Sequence, residues 1–249
     1  MNKVKLITVF LIPISLMSIS VNQKEIKTVE PVEFEDYEGP QNKDTPEEVA
    51  GIGKNLKLGL KAGPNTEKYT WNNKYTIVRA VDPKSEKLNA DIFIIEKYAK
   101  VDTIKNVRRI LAGYLQEAYG YSYQDAFTLA KFITYYNAVY RSNMDYFEKK
   151  YSKKVLSYLT AENAGIAINY KEWPGNTRMV IPLTKNDSEL NTTDITDDEV
   201  ITNLKKGKED RGVEDRKEIV KIKKEDLEKK KEKLEEKKEE TNKKEEKIE

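Results

Sequence analysis

The chain has 249 residues, 45 of them Lys or Arg and 43 Asp or Glu, for a formal net charge of +2. It contains no Cys and no His, which excludes a disulfide framework, zinc fingers, haem ligation through His, Ser-His-Asp triads and Cys-His dyads. The near-balanced charge gives no overall pull toward nucleic acid or anionic lipid, so no nucleic-acid partner is expected.

The charge is unevenly spread. Residues 205–249 carry 34 charged side chains in 45 positions, and the other 204 residues carry 54, an ordinary density for a globular domain. Of the 23 aromatic residues, 22 lie between Phe34 and Trp173. That region is long enough to bury one core. The last 45 residues have seven apolar side chains, too few to offset the entropy of ordering.

In chain order, two lysines in Met1–Lys5 precede Leu6–Ser20, an uncharged run rich in Leu, Ile and Val. Small Ser18 and Ser20 and the polar stretch from Asn22 follow. Positive, apolar, small, polar is the order of a secretory signal peptide, expected over residues 1–20. The run is shorter than the ~20 residues a membrane span needs and is interrupted by Pro13, so no transmembrane span is expected once it is removed. Residues 21–44 read as an extended leader.

Thr45-Pro46-Glu47-Glu48 predicts a capped helix start, with the helix running to about Leu58 and ending near Gly59. Lys74–Val81 and Asp91–Glu96, rich in Tyr, Val and Ile, predict two antiparallel strands, and Thr177–Leu183 a third. Between them, Asp102 is the expected cap of a helix with Ile104, Val107, Leu111, Leu115 and Ala118 at helical spacing, stopping at Gly120. Ser122 with Asp125 starts the next helix. It is apolar on so many sides that it is expected to be central. Asn143–Leu159 predicts a third long helix, and Thr160 the cap of a fourth ending before Pro174-Gly175.

The expected fold is therefore α+β: a helical bundle with a small antiparallel sheet over residues 45–183. An acidic linker with a short helix occupies 184–204, where Thr196-Asp197-Asp198-Glu199 forms another capping box. A charged helical or disordered tail follows over 205–249. In that tail Val220, Leu227, Leu234, Thr241 and Ile248 fall seven apart. The other half of the seam would be Lys223, Lys230 and Lys237, so any coiled coil with a partner is weak. Pairs such as Glu225–Lys229 and Glu239–Lys243 each add only ~0.2–0.5 kcal/mol to a solvated helix.

Gly51-Ile52-Gly53-Lys54 superficially resembles a phosphate loop, but lacks the third Gly, the GK[ST] and a preceding strand. It reads instead as a place where backbones approach closely. Asp125, Asp145 and Glu148 lie near aromatics, yet nothing in their spacing selects an acid/base pair. Arg108, Arg109 and Arg141 are candidates to anchor an anion. Ten of the 15 tyrosines fall between Tyr114 and Tyr158 at largely helical spacing, which reads as a Tyr-rich core with hydroxyls reaching its rim. Trp71 and Trp173, at loop edges, are the expected exposed contacts. No catalytic, cofactor-binding or metal-binding residue emerges.

Several blocks occur in order: Gly51-Ile52-Gly53, Val107-Arg108-Arg109-Ile110-Leu111-Ala112-Gly113-Tyr114-Leu115, Tyr136-Asn137-Ala138-Val139-Tyr140-Arg141, Glu162-Asn163-Ala164-Gly165, and Trp173 followed by Ile181-Pro182-Leu183. In these the chain resembles the N-terminal region of the 83/100-kilodalton major antigen family of Borrelia-type spirochaetes, over Phe34–Leu183. The resemblance implies an exported, envelope-associated, immunodominant protein with a signal peptide and a Lys/Glu-rich segment after the body. It brings no catalytic residue. Family members continue beyond the charged segment in which this chain stops, which implies a truncated form. The resulting expectation is a non-enzymatic cell-envelope protein, periplasmic or envelope-associated, with a structural or interaction role. Its partner would be an unknown protein or envelope component, and it needs no cofactor. Two alternatives are a carboxylate-dependent, glycan-acting envelope enzyme and an adhesin binding a host ligand through its aromatic head.

Overall fold

A computed structural model describes residues 32–39, 44–61, 67–184, 189–192 and 195. The expected signal peptide, most of the leader and acidic linker, and the whole charged tail with its seven-residue spacing lie outside the described residues.

Helix α1, Pro46–Lys61, starts on the anticipated capping box. Glu48 N donates to Thr45 Oγ1 and Thr45 N donates to Glu48 Oε2 at 2.7 Å. The helix continues past Gly59 because Leu60 lies one turn after Leu56 and is buried with it. A glycine inside a helix costs only about 1 kcal/mol.

Four strands follow the order β1-β2-β3-β4, all antiparallel: β1 Lys68–Trp71, β2 Tyr75–Ala80, β3 Asn89–Ile95 and β4 Thr177–Leu183. The three expected strands are present, β4 with the expected bounds. Strand β1 was not anticipated. It returns through a tight hairpin in which Asn72 and Asn73 adopt φ of 49° and 56°, a conformation that Asn tolerates better than most residues.

Helix α2, Ile104–Tyr119, is capped by Thr103, not by the expected Asp102. The first helical N–H, at Ile104, donates instead to Asp36 Oδ1 at 2.7 Å. The leader segment 32–39 thus lies against the body, and Glu35 N donates to Ile168 O. Helix α3, Tyr123–Val139, is capped by Ser122 and is buried on most sides, as its composition implied.

The expected third helix is broken into α4, Met144–Lys150, and α5, Lys153–Leu156. Tyr151 turns extended between them because Leu88 captures the backbone there: Leu88 N donates to Lys150 O and Ser152 N donates to Leu88 O. The expected helix after Thr160 does not form. Asn163 Oδ1 accepts from Thr160 N to close a turn. The chain then runs extended to a 3-10 turn at Tyr170–Glu172 and the short α6, Trp173–Asn176.

Two contacts bind these layers. Helices α1 and α2 touch backbone to backbone. A Cβ at Gly53 would lie 1.8 Å from Ile110 O, and one at Gly113 would lie 1.9 Å from Ala50 O. Glycine is needed at both positions by proximity alone. Along the outer edge of β4, the Asn137 side chain acts as a substitute strand. Its Nδ2 donates to Val180 O at 2.9 Å and its Oδ1 accepts from Val180 N at 2.7 Å. Gly165, at φ 88°, continues this cover by donating to Arg178 O. An edge strand left bare invites foreign pairing; here it is capped internally. Among the described residues, no helix is long and apolar enough to cross a membrane.

The two glycines of the Gly51-Ile52-Gly53 block are predicted to behave oppositely. Nothing lies within 4 Å of a Cβ at Gly51, so Gly51→Ala should be neutral or stabilising by up to about 1 kcal/mol. Gly53→Ala must separate two helix backbones and should cost about 3 kcal/mol or more. Urea denaturation of both variants checks this, and equal midpoints would contradict the packing described.

Candidate interaction groove

Titratable groups inside a fold are the first place to look for chemistry. The densest group here lies where the sheet meets α1 and α2. Asp91 in β3 is fully buried. Its cross-strand partner Arg79 forms a two-pronged pair, Nε to Oδ1 and Nη2 to Oδ2, both at 2.9 Å. Tyr114 and Tyr119 on α2 donate their hydroxyls to Oδ2 at 2.5 Å. Tyr119 also accepts from Arg79 Nη2 at 3.0 Å.

Hydrogen bonding to Asp91 raises the pKa of Arg79. Burial first, and then the Asp91 charge, hold both tyrosines protonated well above their usual range. Burial lowers the pKa of Lys57 on α1, and nearby Arg79 lowers it further against the pull of Asp91. Every oxygen of Asp91 is therefore committed to an internal partner. The cluster is a structural knot that presents no free carboxylate. Polar residues at Arg79 and Asp91 within otherwise apolar strands were the sequence signal for it.

The sequence-derived contact residues separate on inspection. Trp173 is not exposed, contrary to expectation. It is fully buried, its indole N–H donates to Ala167 O at 2.8 Å, and its ring meets Phe34 and Tyr170 edge-on. The leader and the Tyr170–Glu172 turn fold over it. Trp71 is half-buried and stacks on Tyr75 at 6.3 Å. Arg108 is buried, with its guanidinium over the Tyr135 and Phe34 rings and Nε donating to Thr134 Oγ1. Arg141 donates to the carbonyls of Asn176 and Glu162 at 2.8 and 3.0 Å, pinning the loop that covers β4.

The three candidate carboxylates lie on two different helices. Asp125 serves the Ser122 cap, while Asp145 and Glu148 lie exposed on α4. The tyrosines do form core, but several hydroxyls stay inside it instead of reaching the rim. Those of Tyr136 and Tyr151 bond each other at 2.7 Å.

Arg109 remains, and it lines a groove among the described residues. This groove, of about 520 Å³, runs between α1, α2 and the start of α3. Lys54, Lys105 and Arg109 line it with positive charge. Pro46, Ala50, Tyr123 and Phe127 supply its apolar wall, and Glu47 and Gln116 complete it. Lys105 and Arg109 share a face of α2, one turn apart, and the Gly53–Gly113 contact fixes α1 and its Lys54 against them. Arg109 Nη1 is steadied by Asn106 Oδ1 at 2.8 Å. Sequence reasoning selected Arg109 alone, because Lys54, Lys105 and the two aromatics converge only in three dimensions.

The family model described as Borrelia P83/100 protein matches residues 23–249, in agreement with the resemblance carried by the ordered blocks. No curated protein and no solved structure matches the chain.

Asp91→Asn leaves the Arg79 guanidinium without its counter-charge. It should cost roughly 3 kcal/mol, the low end for breaking a buried pair, because the Arg79 side chain keeps 30% exposure. A urea midpoint unchanged from the parent would refute this. A second consequence concerns alkali. Burial raises the pKa of Tyr75, Tyr114 and Tyr119 above their usual value, whereas in the unfolded chain they ionise near pH ~10. The unfolded state then loses protons first, so stability is full below about pH 10 and falls as pH rises beyond it. Tyr121 shifts in the same direction through burial, while Lys57, with its pKa lowered, works in the opposite sense. Chemical denaturation at pH 8, 9.5 and 10.5 should show the midpoint dropping at the last step.

Proposed function

Because the chain belongs to the Borrelia P83/100 protein family, we propose that it is an exported, non-enzymatic envelope protein. Its α+β head serves as an interaction module, and its charged tail as a spacer or contact arm. The observation that carries this reading is the character of the head's groove: three cations, an apolar wall and a single carboxylate. Such an excess of cations beside an apolar wall favours a partner of opposite charge.

A carboxylate-dependent hydrolase needs two acidic groups facing one another, separated by roughly 5–9 Å. The groove supplies Glu47 alone, and Asp91 is consumed by Arg79 and two tyrosines. The adhesin alternative rested on Trp71 and Trp173, and burial of Trp173 removes half of that surface.

Export is supported by the charge and hydropathy order of residues 1–25.

N-terminal sequencing of the protein purified from cells should find a start near residue 21; a chain beginning at Met1 would refute export by this signal. Protease added to intact, outer-membrane-permeabilised and fully lysed cells should cleave the head in one of the first two conditions. Cleavage only after the inner membrane is lysed would overturn envelope placement.

A further inference from the structure

We infer that the α1–α2–α3 groove docks an extended acidic peptide in which carboxylates alternate with apolar side chains, an inference that rests on the head acting as an interaction module. Three features of the lining select this chemistry.

The first is charge. Lys54 and Lys105 are exposed and make no ion pair or hydrogen bond among the described residues. With Arg109, the groove holds three cations against Glu47, an excess that attracts carboxylates and steers their approach. The second feature is the apolar wall. Tyr123 and Phe127 lie 6.0 Å apart at 32°, and Tyr123 is 43% exposed, so its ring is available to a partner. Such a wall accepts an apolar or aromatic side chain placed beside a carboxylate. The third is Gln116, whose amide both donates and accepts and so matches a peptide bond, which presents both.

Glu47 separates a peptide from a polyanionic glycan. A sulfated or phosphorylated polymer carries charge on every unit and meets repulsion at Glu47. An extended peptide can place a backbone N–H there, since its side chains alternate in direction. The volume, about 520 Å³, falls within the range of sites that enclose a small ligand, enough for a few residues of such a segment.

The test uses the full-length protein and a dye-labelled nonapeptide, Asp-Phe-Glu-Leu-Asp-Phe-Glu-Leu-Asp, followed by fluorescence anisotropy. Binding should saturate and weaken with added salt. Lys105→Gln and Arg109→Gln should each lower affinity about three- to tenfold, and the double variant more than tenfold. Lys100→Gln, an exposed cation outside the groove, should leave affinity unchanged. Thermal melts will show that the variants remain folded. A peptide with Lys replacing every acidic residue should not bind.

Equal losses from Lys100→Gln and Arg109→Gln, or no loss from the double variant, would overturn the proposal. So would heparin binding more tightly than the peptide and displacing it, which would assign the groove to a glycan. A tenfold gain in affinity on replacing Asp197, Asp198 and Glu199 by Ala would also overturn it, by assigning the groove to this chain's own acidic stretch. None of these outcomes bears on export, which is read separately from the N-terminus and from protease protection.

Discussion

Asp91 sits within the sheet with no access to solvent, and a bare carboxylate there would be too costly to keep. Its neutralisation organises the head. Arg79 must come from the neighbouring strand in register, and Tyr114 and Tyr119 must come from α2 at the height that brings both hydroxyls to one oxygen. A slip of the β2–β3 register by one residue would turn Arg79 to the opposite face and leave the charge unpaired. The pair therefore specifies register and the seat of α2 on the sheet, whatever its net contribution to stability.

Helix α1 is then set by α2 through the Gly53–Gly113 contact, and α3 is set by β4 through Asn137. This sequence of constraints shows what the blocks carrying the family resemblance encode. Gly53 and Gly113 admit a close helix crossing. Asn137 closes a sheet edge, Arg141 pins the loop covering that edge, and Gly165 donates to its backbone. These residues hold the fold.

The groove arises from the same constraints. Once α1 lies against α2, the side chains that point away from the shared core along the top of both helices converge beside the start of α3. Lys54, Lys105 and Arg109 meet there because the backbones touch, with no ion pairs between them to demand it. A tyrosine-rich interior completes the picture. Tyr114, Tyr135, Tyr136 and Tyr151 are buried, so most of the chain's aromatic mass is spent inside. Tyr98 and Tyr123 stay exposed, and Tyr123 lies in the groove beside Phe127.

The sequence by itself determined the elements whose signals are local. The Thr45–Glu48 box, Ser122 with Asp125, the stop at Gly120 and the strand run Thr177–Leu183 all act within a few residues, and each appears in the fold. It also determined the division into an aromatic body and a Lys/Glu-rich extension, because composition alone limits what can be buried. Only the tertiary structure decided the rest. Leu88 broke an apparently continuous helix at Tyr151 by capturing its backbone. Asp36 supplied the first N–H of α2 with an acceptor, beside the Thr103 cap. The leader covered Trp173, and Asp91 was locked away from any reaction. In each case the deciding partner lies far along the chain, and its hydrogen bonds or packing outweighed a local preference of about 1 kcal/mol or less.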